Sequence, residues 1–138
     1  MIIGVGTDLV PIGRMERLWS RHGQRALERI LTGQEQDLVA SHRDPVRFLA
    51  MRFAGKEAVA KALGTGFRGL VSLQAMTILP DALGKPVVSF SDGLRDELER
   101  RQITGVEISL ADAGGLALAF AVAWSGSQRD SGHSGSHA

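Results

Sequence analysis

The chain has 138 residues, 43% of them hydrophobic, enough for one domain with its own core, and sixteen Lys and Arg against fifteen Asp and Glu leave a formal charge of +1. That balance excludes attachment to nucleic acid or to an anionic membrane through bulk charge, so neither is expected as a partner. The absence of cysteine excludes disulfides, thiol nucleophiles, Cys-ligated zinc and iron–sulfur clusters; no apolar run nears the ~18 residues of a membrane-spanning helix and no basic segment precedes Asp8, so a cytoplasmic protein is expected.

Ile2 to Val10 is a β-branched run with Gly4 and Gly6 interleaved, which predicts a strand with a face open to close packing and Asp8 near its end. From Ile12 to Ile30 the pattern is helical: Arg14, Arg17, Arg21, Arg25 and Arg29 recur every three or four residues and fall within one stripe of about 120°. Gly23 costs about 1 kcal/mol relative to Ala inside a helix, so two shorter helices are the alternative. Thr32 to Glu35 has the spacing of a capping box, and a short helix should follow to about Ser41. His42 to Pro45 breaks the pattern, and Val46 to Leu63 is the longest helical stretch, with Gly64 as its stop. Val71 to Leu79 and Pro86 to Phe90 predict a hairpin joined through Pro80 to Lys85, and Ser91 caps a helix from Asp92 to Arg101 that buries Leu94 and Leu98. Val106, Ile108 and Leu110 alternate as a strand, and Asp112 to Gly115 turn. The final strand, Leu116 to Trp124, sets large apolar residues on one face and Ala117, Ala119, Ala121 and Ala123 on the other. A methyl-lined face predicts close packing against a helix or another subunit; a thin core explains it equally well. Strands and helices mixed without a strict βαβ rhythm predict an α+β domain over residues 1–124. Eight of the fourteen residues from Ser125 to Ala138 are Gly or Ser, which predicts a flexible tail and leaves only His22 and His42 for imidazole chemistry.

Asp8 and Glu57 are carboxylates in apolar surroundings, and a buried carboxylate needs a partner. The plain reading pairs Glu57 with Lys61 one helical turn on and lets Asp8 end its strand. The functional reading has both carboxylates hold a hard divalent cation such as Mg²⁺, which keeps waters and substrate phosphates in its shell. Lys61 to Gly66 is not a phosphate loop, because its glycines follow a helix; phosphate contact there would come from Lys61, Thr65 and loop amides.

Gly4-Val5-Gly6-Thr7-Asp8, Ile30-Leu31-Thr32 with Glu35, and Arg52-Phe53-Ala54-Gly55-Lys56-Glu57-Ala58 with Lys61 to Gly66 closely resemble the bacterial holo-[acyl-carrier-protein] synthases, a family of 4'-phosphopantetheinyl transferases. Gly84-Lys85-Pro86 and the hairpin after Ser109 follow in the same order, so the resemblance spans Met1 to Trp124. It implies transfer of the phosphopantetheine arm from coenzyme A to a serine of apo acyl carrier protein, with release of 3',5'-ADP. It further implies Mg²⁺ on Asp8 and Glu57, Glu57 as the base through a metal-linked water, and Lys61 stabilising the leaving group. Lys61, Arg52, Thr65, Lys85, Pro86 and Arg43 would bind coenzyme A, and Arg14, Arg17 and Arg21 would dock the acidic carrier. The same resemblance implies a small antiparallel sheet packed with helices, two similar α/β halves, and a homotrimer with sites between subunits. The chain departs from the family at Ser109-Leu110-Ala111-Asp112, where Asp112 stands in place of the usual histidine and cannot donate as an imidazole can. Its loop around Asp44 is also less basic. A coenzyme A or carrier-binding subunit without catalysis is the competing reading, against which the presence of Asp8, Glu57 and Lys61 speaks.

Overall fold

The structure is a computed structural model that describes residues 1–126; the tail expected over 125–138 lies outside the described residues from position 127 onward. The elements are β1 (Ile2–Pro11), α1 (Ile12–His22), α2 (Gln24–Ile30), α3 (Gly33–Ala40), α4 (Pro45–Ala62), a 3₁₀ turn (Leu73–Ala75), β2 (Met76–Pro80), β3 (Pro86–Phe90), α5 (Asp92–Arg100), β4 (Gly105–Ala113) and β5 (Leu116–Trp124). They form one antiparallel sheet in the order β1-β5-β4 and a separate β2-β3 hairpin, so the α+β class holds. Among the described residues the expected two similar halves do not occur, since one sheet has three strands and the other two. β1 pairs along its length with β5, from Gly4 opposite Ala123 to Pro11 opposite Leu116, so both ends of the described chain share a sheet.

The core is organised around α4, ten of whose eighteen residues are buried. One side of α4 lies on the three-stranded sheet at a distance only small residues permit. A Cβ built on Gly4 would run into the carbonyl oxygen of Ala62, and one on Gly6 into that of Ala58. Ala117, Ala119, Ala121 and Ala123 of β5 are all fully buried on this face. The methyl-lined face is thus covered by a helix of the same chain, not by another subunit. The open face is the opposite one, where Ile3, Val5, Leu9, Leu118 and Phe120 remain 43–56% exposed.

The other side of α4 is tied down by a buried ion pair. Lys56 Nζ donates to Glu35 Oε1 at 2.6 Å and to the carbonyls of Ile30 and Leu73 at 2.7 and 2.9 Å. Glu35 Oε1 also closes the predicted capping box on Thr32 N, at 2.9 Å, while its Oε2 accepts from Ile78 N at 2.8 Å. Every ammonium donor and both carboxylate oxygens are used, the condition for burying such a pair without a large penalty. Burial nonetheless pulls the Lys56 ammonium below its usual range, against the opposing charge of Glu35.

Three local expectations change. The helix over 12–30 breaks at Gly23, which takes φ 57°, so the alternative of two shorter helices holds. The strand expected from Val71 begins only at Met76, because Ser72 Oγ caps the 3₁₀ turn at Ala75 N and Gln74 Nε2 is drawn into the C-terminus of α2, donating to Glu28 O at 2.6 Å and Leu31 O at 2.8 Å. The last turn is also tighter than expected: β4 runs on through Ala113, and Gly114 and Gly115, with φ 58° and 77°, make the two-residue turn that suits the twist of a hairpin.

Candidate active site

On β1 the two-residue period puts Gly4, Gly6, Asp8 and Val10 on the side facing α4. The glycine contacts bring Asp8 alongside the helix at Glu57 and Lys61. Lys61 Nζ donates to the Thr7 carbonyl at 2.9 Å and to Asp8 Oδ1 at 3.1 Å. The lysine therefore bridges to β1 rather than pairing with Glu57, and Asp8 does more than end its strand. The Asp8 side chain is 17% exposed and that of Lys61 51%, so the ammonium stands at the mouth of the cluster. Burial raises the Glu57 carboxyl above its usual range and the negative charge of Asp8 raises it further, with Lys61 and Arg14 opposing. Two carboxylates share the site with the Lys61 ammonium, which is paired to Asp8, and with the charge of Arg14. Among the described residues no cluster of three or more His, Cys, Asp or Glu occurs. A cation here would thus have two protein carboxylates and several open positions, a donor set that fits Mg²⁺ with its waters and substrate phosphates.

Thr65 lies in the loop past α4, half-buried, its Oγ1 donating to Gly66 O at 2.8 Å. Arg14, Arg17 and Arg21 line a groove of about 1140 Å³ between α1, α2 and α4, with Phe53 and Leu73 also in its walls. Arg14 sits over the Phe53 ring, 5.8 Å from its centroid. Arg25 and Arg29 line the same groove despite the break at Gly23, so the five-arginine stripe stays together and the basic wall is longer than the three arginines expected to dock the carrier.

The remaining expected coenzyme A residues do not join this cluster within one chain. Arg52 is nine residues before Lys61 on α4, about 13 Å along the axis and about half a turn around it. Its Nε donates to Ile78 O at 2.9 Å and its guanidinium stacks 4.3 Å over Phe48. Lys85 Nζ pairs with Glu107 at 3.1 Å, Pro86 opposes Pro80 in the hairpin, and Arg43 is exposed in the loop before α4. Asp112 is held in a bidentate pair by Arg47, at 2.7 Å from Nε and 2.6 Å from Nη2. That contact lowers the Asp112 carboxyl and raises the Arg47 guanidinium relative to their usual values. Arg47 carries no periodic or motif signal in the sequence, and nothing there pointed toward it.

A family model described as "4'-phosphopantetheinyl transferase superfamily" matches residues 4–121. The holo-[acyl-carrier-protein] synthase of Laribacter hongkongensis is 48% identical over 122 residues, covering 88% of this chain and 98% of the relative. The crystal structure of the holo-[acyl-carrier-protein] synthase from Neisseria meningitidis superposes with a TM-score of 0.88 at 45% identity, over 90% of this chain and 99% of that one. The holo-(acyl-carrier-protein) synthase of Bacillus anthracis, solved in complex with CoA (3',5'-ADP), superposes with a TM-score of 0.77 at 30% identity, over 91% and 99% of the two chains. With a family model matched over residues 4–121 and relatives up to 48% identical covered almost end to end, the chain belongs to the 4'-phosphopantetheinyl transferase superfamily, among the holo-[acyl-carrier-protein] synthases.

Proposed function

We propose that this chain transfers 4'-phosphopantetheine from coenzyme A to a serine of apo acyl carrier protein. The serine oxygen attacks the pyrophosphate phosphorus on the pantetheine side, the bridging P–O bond breaks, and 3',5'-ADP leaves. The observation that carries this reading is the cluster of Asp8, Glu57 and Lys61, assembled from two elements whose backbones are in contact. Asp8 and Glu57 are the residues that would hold Mg²⁺, whose chemistry there is neutralisation and orientation of the pyrophosphate. Glu57 is the base for the serine proton. Lys61, half-exposed beside Asp8, meets the charge that develops on the leaving group.

The reading extends to partners. Arg14, Arg17 and Arg21 steer and orient an acidic carrier along their groove. Assembly as a homotrimer with sites between subunits is supported by the exposed apolar face of β1 and β5. It is supported equally by the separation, within one chain, of Arg43, Arg52, Lys85 and Pro86 from Asp8, Glu57, Lys61 and Thr65, since a neighbouring copy can bring the two groups together. Among the described residues no helix is long and apolar enough to cross a membrane. We place the reaction in the cytoplasm, where its holo carrier product serves fatty-acid biosynthesis.

The test is an intact-mass measurement on apo acyl carrier protein incubated with this protein, coenzyme A and Mg²⁺, with EDTA as the control. A mass gain of one phosphopantetheine group that EDTA suppresses supports the reading. Binding of coenzyme A without any gain overturns it in favour of a non-catalytic binding subunit.

A further inference from the structure

The segment that follows α4, residues 63–70, carries Thr65 and begins two residues after Lys61. Gly64 N and Gly66 N donate back to the Lys61 and Ala60 carbonyls at 3.0 and 3.2 Å, and the two glycines take φ 79° and 61°. Among the described residues a single hydrogen bond ties this segment to any element other than α4. Arg101, at the C-terminal end of α5, donates from Nη2 to the carbonyl of buried Leu63 at 2.6 Å, from 38 residues away in the chain. The rest of the Arg101 guanidinium has no partner among the same residues. A stretch with two glycines in the left-handed region wanders over many conformations unless it is tethered. Tethering it in the free protein moves the cost of ordering it from binding to folding.

The position of the tether also matters electrostatically. The last carbonyls of a helix together carry roughly half a negative charge, which repels a phosphate brought to that end. Lys61 opposes this from the last turn of α4, but its ammonium is paired to Asp8. Arg101 sets a second cation on the first carbonyl past the helix.

We propose that Arg101 is a positioning residue for coenzyme A: it clamps the loop that presents Thr65 and offsets the negative end of α4, where the pyrophosphate is received. The inference rests on the proposed function for the identity of the ligand, whereas the clamp itself does not depend on it.

Hydrogen exchange of the Gly64 and Gly66 amides in the free protein, titration calorimetry with coenzyme A and steady-state kinetics with both substrates test this together. In Arg101→Ala the two amides should exchange several times faster, and affinity for coenzyme A should fall about three- to tenfold, the effect of losing one charged hydrogen bond near the surface. KM for coenzyme A should rise while KM for the carrier stays unchanged, and the melting temperature should stay close to the parent's because Arg101 is exposed. Arg101→Lys, which keeps the charge, should recover most of the affinity; Arg101→Gln, which keeps a donor without charge, should recover slow exchange more than affinity. Unchanged exchange or unchanged affinity in Arg101→Ala overturns the inference. So does a variant in which both KM values rise together with a lowered melting temperature that lysine does not restore, the mark of a merely structural contact. A parent that binds coenzyme A, weakens in this way on Arg101→Ala, and yet transfers nothing to carrier protein overturns the proposed function alone.

Discussion

Gly6 sets the distance between the two elements that carry the carboxylates, and Gly6→Ala tests whether that distance matters. The added Cβ would sit 2.7 Å from Ala62 N and 2.9 Å from Lys61 Cβ, and closer still to the Ala58 carbonyl. Restoring ordinary contact near 3.5 Å requires β1 and α4 to separate by roughly 1 Å, because most of the atoms met are backbone. Overpacking of this kind costs about 1–3 kcal/mol, and at roughly 3–5 °C per kcal/mol for a domain of this size it should be plain in a melting curve. The same 1 Å would move Asp8 away from Glu57, and a displacement of that order costs about 100-fold in rate. Urea unfolding and initial rates of carrier modification at saturating coenzyme A measure the two effects separately. Gly33→Ala is the control: a Cβ there meets no atom within 4 Å, so stability should be unchanged or slightly improved. A Gly6→Ala protein equal to the parent in both measurements would refute the claim that backbone contact positions the site.

Lys56→Met should cost about 3–5 kcal/mol in urea unfolding, because Glu35 would remain buried and charged without its partner. Glu57→Gln should abolish transfer, and its melting temperature at pH 7 should equal or exceed that of the parent. The Glu57 pKa is raised on folding, so the folded protein binds this proton more tightly than the unfolded chain does, and ionised Glu57 opposes folding above that range; the variant's advantage should vanish as pH falls below about 4.5. Arg14→Glu combined with Arg21→Glu should raise KM for the carrier while leaving KM for coenzyme A unchanged in steady-state assays; equal effects on both would remove the docking role. Leu118→Asp, on the exposed sheet face, should shift the protein to a smaller species in light scattering if that face joins subunits.

Features written in local patterns were legible before any coordinates. The Thr32–Glu35 capping box, the alternation of β5 and the Leu94–Leu98 face of α5 each depend on neighbours within a few residues, and each appears as read. Asp8, Glu57 and Lys61 were legible as residue types in specific motifs and, through the resemblance, as one site; the contact that joins them was not, because it runs through glycines on one element and main-chain oxygens on another. Val71 to Ala75 read as strand for the opposite reason: the alternation is genuine, but the segment's carbonyl and side-chain groups are claimed by Lys56, the end of α2 and the cap at Ser72. Which face of β5 meets the helix could not be decided from β5 alone. It follows from Gly4 and Gly6 on its partner strand, which leave room on the alanine side. The Arg47–Asp112 pair joins positions 65 apart with no shared pattern, and only the packed chain brings them together.

The seam between α4 and the sheet consists of glycines, alanine methyl groups and peptide atoms, with few rotatable side chains in it. A seam of that kind has no alternative rotamers through which to loosen gradually, so its amides should exchange with solvent only when the whole domain opens. The α1–α2 segment, jointed at Gly23 and largely solvent-facing, has a much easier route to local opening. The two carboxylates are therefore carried on the slowest-exchanging part of the molecule and the groove arginines on one of the fastest, so hydrogen exchange would separate a rigid chemical centre from a surface free to adjust to whatever it receives.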